Sequence, residues 1–402
     1  MSEIQIFKAG EVNLFQRIKA LCAELKEKGI VVIALTIGEP KGPAFLEARK
    51  AAAAAIMSDS EDMHIYQDNG EAGCPGFAEE FVGYHVSEAV RDSDYVEYVP
   101  LKGIKGSLGI IINAMGGFLR TADNPVKVAT MTNPGYPTPR EQCEMIKGVK
   151  HYELPLDPEN GFLFDPKWLL DQGFGSGDLV MLNLPHNPTG ASAEDEWLHK
   201  ICTLCAEHGI RIFNDAAYGL LYHAFGHSML ADIAIQYEEL GWAEAFSASK
   251  LGNFTAWSIA AAVGSPGFIK DIKQVKGKTD SGFMPALAHG VLEVCRNHMG
   301  LIVERKEQYG ESLQTLKDVM CEAGIVQAIE PTAGFFAFFN CPKYAFGQEI
   351  EDAEHFNNLM ANETCLVGVP FGPWIRYAVC KINVDEFVDQ IRAGLAKANP
   401  SY

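Results

Sequence analysis

The chain has 402 residues, 48% of them apolar and 21% charged, and a net charge of −19. Such a length can bury a large core, as two domains or as one α/β domain with an appendage. The negative balance argues against nucleic acid or an anionic membrane surface as a partner, since both need a positive field; a small anion remains possible, because helix N-termini and a few local cations can hold a phosphate.

In chain order, residues 10–32 read as an amphipathic helix, and 34–40 as a strand leading into a loop. No N-terminal stretch has the form of a signal peptide. The run 110–119 carries Asn113 and two glycines and is too short to span a bilayer, so a cytoplasmic protein is expected. Gly103-Ile104-Lys105-Gly106-Ser107-Leu108 precedes a helical run. It is neither a Walker A loop nor a G-x-G-x-x-G fingerprint, but backbone N–H groups at such a helix start can hold a phosphate.

Short apolar strands are predicted at 126–131, 178–184, 211–215, 243–247 and 259–264, with helical patterns between them such as 194–208, stopped by Gly209. Several are apolar on both faces, as expected of a mostly parallel sheet covered by helices on both sides. Cys202 and Cys205 form a C-x-x-C pair on the 194–208 helix, with no second ligand pair nearby, so core packing explains them better than metal or redox chemistry. Ten cysteines without a secretion signal suggest reduced thiols. A long helical stretch is expected from about 281 to 316. The tail then alternates short strands (334–339 and 374–378) with helices. The expected partition is a large α/β domain over 51–285 and a smaller α+β domain built from 1–50 and 286–402.

Lys250 follows the 243–247 strand, so its amine would project from the C-terminal edge of the sheet, where α/β proteins place ligands. A desolvated amine there can form a Schiff base with an aldehyde. Asp215 ends a buried strand, an expensive position for a carboxylate without a partner. The motifs Asn187-Pro188-Thr189-Gly190, Asn214-Asp215-Ala216-Ala217-Tyr218 and Ser247-Ala248-Ser249-Lys250 follow one another with 28 residues from Asn187 to Asp215 and 35 from Asp215 to Lys250. Each alone has an ordinary reading: a turn, a helix cap or buried ion pair, and a surface lysine.

Taken together, the order and spacing of these motifs resemble the class I/II aminotransferases, fold-type I enzymes that use pyridoxal 5′-phosphate. The resemblance implies that Lys250 anchors the cofactor and that Asp215 faces its pyridine nitrogen, keeping the ring cationic. Tyr218 and Asn187 would contact its phenolic oxygen, Asn187 also lying near the substrate, and Tyr136 would stack on the ring. Ile104 and Lys105 fall in the matching phosphate loop, and Ser247 and Ser249 flank the lysine. Tyr66 matches a tyrosine that reaches the phosphate of a neighbouring subunit, implying a homodimer. Arg376 matches the arginine that grips the substrate α-carboxylate, a task that suits a planar guanidinium. Gly38 matches a glycine in the loop near the substrate. No metal is implied.

The chain departs from the pattern after Lys250: Ala256 stands at a glycine position and Ser258 where the family carries a phosphate-binding arginine. Lys105 is a possible replacement cation. Lys278 lies near the segment where some relatives carry a cation for a second substrate carboxylate. The expected activity is transfer of an amino group between an amino acid and a 2-oxo acid, the substrates being its small-molecule partners. A lyase or another α-carbon chemistry on the same fold, or a non-catalytic descendant, are the alternatives.

Overall fold

The computed structural model describes residues 14–224 and 227–402. The chain divides into two compact units, one of Glu39–Gly310 with Ile329–Gly334, the other of the residues up to Gly38 with Glu311–Ala328 and Phe335–Tyr402.

The larger unit is built on a seven-stranded sheet. From edge to edge its strands are Glu97–Leu101, Ala260–Gly264, Trp242–Ser247, Arg211–Ala216, Leu179–Leu182, Val126–Thr130 and Val149–Glu153. Only Ala260–Gly264 runs antiparallel to its neighbours; the other adjacent pairs are parallel. On one face Val128, Met181, Phe213 and Ala245 pack with Leu108 and Ile111 of the helix Ile104–Ala114 and with Ile269 and Ile272 of the helix Pro266–Lys276. The other face is covered in part by the helices Phe77–Gly83, Asp195–His208 and Leu230–Ala234. This is an α/β fold with a mostly parallel sheet between helices. The five apolar strands expected from the sequence are present within one or two residues of their predicted ends. The two edge strands were not expected, and their chemistry explains why. Val149–Glu153 carries Lys150, His151 and Glu153 and is only half-buried, while Glu97–Leu101 contains Pro100; edge strands admit polar residues and proline that interior strands exclude.

Cys202 and Cys205 are fully buried beside Leu198 and Ile201 in the helix Asp195–His208, as core packing requires. Burial raises both thiols, Cys202 to about 12, which keeps them inert. The stretch expected as one helix from about 281 to 316 is two, Pro285–Asn297 and Met299–Glu322, separated at His298.

In the smaller unit, Trp374–Ala378 lies between Val369–Phe371 and Phe336–Asn340, antiparallel to both. A short parallel pair joins Ile33–Ala34 to Leu366–Val367. The helix Leu14–Glu27 packs Ile18 and Leu25 against Ala361 and Val367; the predicted residues 10–13 of that helix lie outside the described part. Among the described residues no helix is long and apolar enough to cross a membrane.

Candidate active site

Several candidate residues gather at the C-terminal ends of the central strands. Asp215 is the penultimate residue of Arg211–Ala216 and is buried, with 8% of its surface exposed. The adjacent strand ends at Ser247, and the chain turns at once through Ala248–Lys250, with Ser247 Oγ accepting from the Ser249 N–H at 3.2 Å. This tight turn brings Lys250 off the sheet edge within electrostatic reach of Asp215. Burial pushes the Asp215 carboxyl up to about 7; the Ala217 N–H, at 3.2 Å, and the Lys250 charge pull it back only in part. Burial therefore favours the neutral carboxyl here, and a further cation beside it would favour the ionised form.

Asn187 is held by a buried side chain that the sequence reading passed over. Asn183 Oδ1 accepts from the Asn187 N–H at 3.1 Å, and Asn183 Nδ2 donates to the Asp215 carbonyl at 2.9 Å. Tyr218 is buried in the turn after Asp215, its ring within 4 Å of where a Cβ on Gly334 would stand. Tyr136 is half-buried. Burial raises its phenol, while hydrogen bonds with Thr138 and Lys105 oppose the shift, and the Asp215 charge is near enough to be felt.

The helix Ile104–Ala114 starts at Gly103, whose φ of 71° suits glycine and which offers no side-chain cap. Lys105, in its first turn, is exposed. Ser258 lies against this helix start: a Cβ on Gly103 would stand 3.4 Å from Ser258 Cβ and 3.5 Å from Ser258 Cα. The position expected to carry an arginine therefore sits beside the helix start that the resemblance assigns to a phosphate. Ser258 itself has a left-handed backbone, φ 54°.

The structure does not bring Tyr66 into this group. It is 79% exposed, on a loop held by its buried neighbour Gln67, which accepts from the Gly73 N–H at 3.0 Å and donates to the Asp62 and Ile65 carbonyls. Lys278 lies just beyond the helix Pro266–Lys276, whose last residue is a fully buried lysine paired with Asp280 at 3.0 Å.

Arg376 and Gly38 belong to the smaller unit. Arg376 is 1% exposed, with its guanidinium 4.6 Å from the Phe336 ring centre and 5.4 Å from that of Phe371, and it donates to the Thr36 carbonyl. Gly38 is packed so closely that a Cβ would come within 2.8 Å of the Phe336 ring.

Two further buried groups were missed. Glu244, fully buried, accepts from Asn214 Nδ2 at 2.6 Å and from the Ala231 N–H at 2.7 Å, and burial raises its carboxyl to about 7. A lone carboxylate inside the apolar run 243–247 was the available signal for it; for Asn183 the signal was its place four residues before Asn187. Among the described residues no cluster of three or more His, Cys, Asp or Glu is placed to hold a metal ion.

A buried carboxyl within electrostatic reach of an amine and of a half-buried phenol, together with an uncapped helix start, forms a donor set that fits a planar, cationic heteroaromatic aldehyde bearing an anionic group. The aminotransferase class I and II model matches residues 30–391, and the chain belongs to that family of pyridoxal-phosphate-dependent transferases. It is 29% identical to the LL-diaminopimelate aminotransferase of Syntrophobacter fumaroxidans, over 94% of this chain and 95% of the relative. It is 30% identical to the enzyme of the same name from Methanocaldococcus jannaschii, over 80% and 74%. The fold matches a Thermus thermophilus aspartate aminotransferase mutant with a TM-score of 0.78 at 19% identity, covering 98% of this chain and all of that one. The Rhizobium meliloti aspartate aminotransferase gives 0.77 at 18%, again over 98% and 100%.

Proposed function

We propose that this chain binds pyridoxal 5′-phosphate through Lys250 and transfers an amino group between an L-amino acid and a 2-oxo acid, as a homodimer in the cytoplasm. One observation carries the reading: Asp215 is buried at the end of its strand, and Lys250 stands within electrostatic reach of it in the turn that ends the neighbouring strand. When bound, the cofactor supplies an electrophilic aldehyde and a ring that accepts electrons from the substrate α-carbon. Asp215 would face the ring nitrogen, whose positive charge would favour the ionised carboxylate. Tyr218 and Asn187 would contact the phenolic oxygen, and Tyr136 would lie against the ring. Ile104 and Lys105 would hold the phosphate, Ser247 and Ser249 would flank the cofactor-bearing lysine, and Tyr66 would complete the phosphate site of a second copy. Its exposure on a well-braced loop suits that role.

Arg376 binds the substrate α-carboxylate near the Gly38 loop. Two flanking phenyl rings keep its guanidinium plane fixed, so little rotational freedom is lost on binding. Lys250 Nζ, once free of the cofactor, removes the proton from the substrate α-carbon and returns it elsewhere as general base and acid. The names of the relatives make LL-diaminopimelate the first amino donor to test. Borohydride reduction with peptide mapping should place the cofactor on Lys250, and a screen of amino donors against several oxo acids should show transfer. Label on another lysine, or no spectral change on adding cofactor, would overturn the reading.

A further inference from the structure

The strand Leu179–Leu182 stops just before Leu184-Pro185, since proline brings no N–H to continue the ladder. The loop from there to Asn187 is nonetheless held against the neighbouring strand by two buried asparagines. Asn214 replaces the missing ladder on one side, accepting from the Leu184 N–H and donating to the Leu184 carbonyl, both at 2.9 Å. It is fixed in turn by Glu244. Asn183, 8% exposed, serves the other side. Its amide oxygen takes the Asn187 N–H and its amide nitrogen reaches the Asp215 carbonyl. Both bonds therefore end on the backbone of residues assigned above to the cofactor.

We propose that Asn183 is a positioning residue of the active site, which sets the placement of Asn187 relative to Asp215 by bridging the two backbones. This rests on the function proposed above. Asn187 and Asp215 act at different atoms of one rigid ring, so their separation must match that ring. A free loop would hold the match only part of the time, and misplacement of about 1 Å can lower a rate about 100-fold. Asn183 touches neither substrate nor cofactor in this account; it acts through its two neighbours.

The test uses the full-length holoenzyme with Asn183→Ala, which removes both bonds, and Asn183→Asp, which is size-matched and keeps only the acceptor. In Asn183→Ala, kcat for the best amino donor should fall roughly 10- to 100-fold with KM changed by less than about threefold. The pH at which the visible absorption of the bound cofactor changes should move by about half a unit or more, because the groups that set it have shifted. Asn183→Asp should lie between wild type and Asn183→Ala, and it carries the test if the alanine variant does not fold. A variant that binds cofactor and melts lower, yet keeps the wild-type kcat and spectral transition, would overturn the proposal and leave Asn183 a purely structural residue. A wild type that takes up no cofactor would overturn the proposed function as well, so the two failures are distinguishable.

Discussion

Asp215 and Arg376 are both buried and both ionisable, yet their surroundings treat charge in opposite ways. Asp215 lies at a strand end with one N–H and the Lys250 charge to support it, and its carboxyl holds its proton to about 7. Arg376 lies between two phenyl rings with a carbonyl accepting from it, and a guanidinium cannot give up its proton to escape burial. A carboxyl can wait neutral until a cation arrives. An arginine must be stabilised from the start, and the faces of aromatic rings do part of this. Asp215 is thus electrically adjustable, while Arg376 is permanently charged.

The largest effect should come from removing the group that makes the Asp215 end reactive. Lys250→Ala should lower amino transfer by about 1,000-fold or more, the scale of a lost general base together with a lost covalent anchor. Single-turnover assays with added cofactor measure it; activity within tenfold of wild type would separate Lys250 from the chemistry. Arg376→Lys keeps the charge but loses the planar fork. A loss of about 1–3 kcal/mol, or roughly 5- to 150-fold in kcat/KM, is expected, with cofactor binding unchanged. Unaltered kcat/KM for the best amino acid would remove Arg376 from the site.

The adjustable carboxyl also has a signature without any substrate. In the cofactor-free protein burial pushes the Asp215 and Glu244 carboxyls up to about 7, from 3.8 and 4.5 when exposed. Between these limits the folded chain binds more protons than the unfolded one, so these two groups make stability fall as pH rises from about 4 to about 7, then level off. Asp215→Asn or Glu244→Gln should each shrink the drop in melting temperature between about pH 5 and pH 8. An undiminished or steeper drop in both variants would contradict the raised carboxyls; Arg376→Lys should leave the slope alone.

The smallest change is expected beside the helix start. Ser258→Arg should slow cofactor loss a few-fold, the range of one partly screened charge-assisted contact, as followed by dialysis and absorbance. Ser258 already bears the left-handed backbone, so an arginine adds no new Cβ strain there. Equal or faster loss from a folded variant would mean that the helix start and Lys105 suffice.

Much of the larger unit was legible in the sequence because interior strands have to be apolar on both faces. The runs at 126, 179, 211, 242 and 260 announce themselves in that way. The edge strands do not, since Lys150, His151 and Pro100 are tolerated where one side of the ladder is open. The break between the helices Pro285–Asn297 and Met299–Glu322 was also invisible, because nothing at His298 is a strong helix breaker.

For the site, sequence alone determined the chemical inventory. A lysine after an apolar strand, an aspartate at the end of its neighbour and an Asn-Pro-Thr-Gly turn, at set spacings, specify which groups stand at the sheet edge, because strand ends in a parallel sheet lie side by side. Tertiary structure decided what those groups experience. The reluctance of Asp215 to ionise, the bridge that Asn183 makes from Asn187 to Asp215, the enclosure of Glu244 by Asn214 and Ala231, and the approach of Ser258 to Gly103 all depend on contacts between residues far apart in the chain. Hydrogen-bond geometry and desolvation are properties of such assembled surroundings, and no local pattern of residues encodes them.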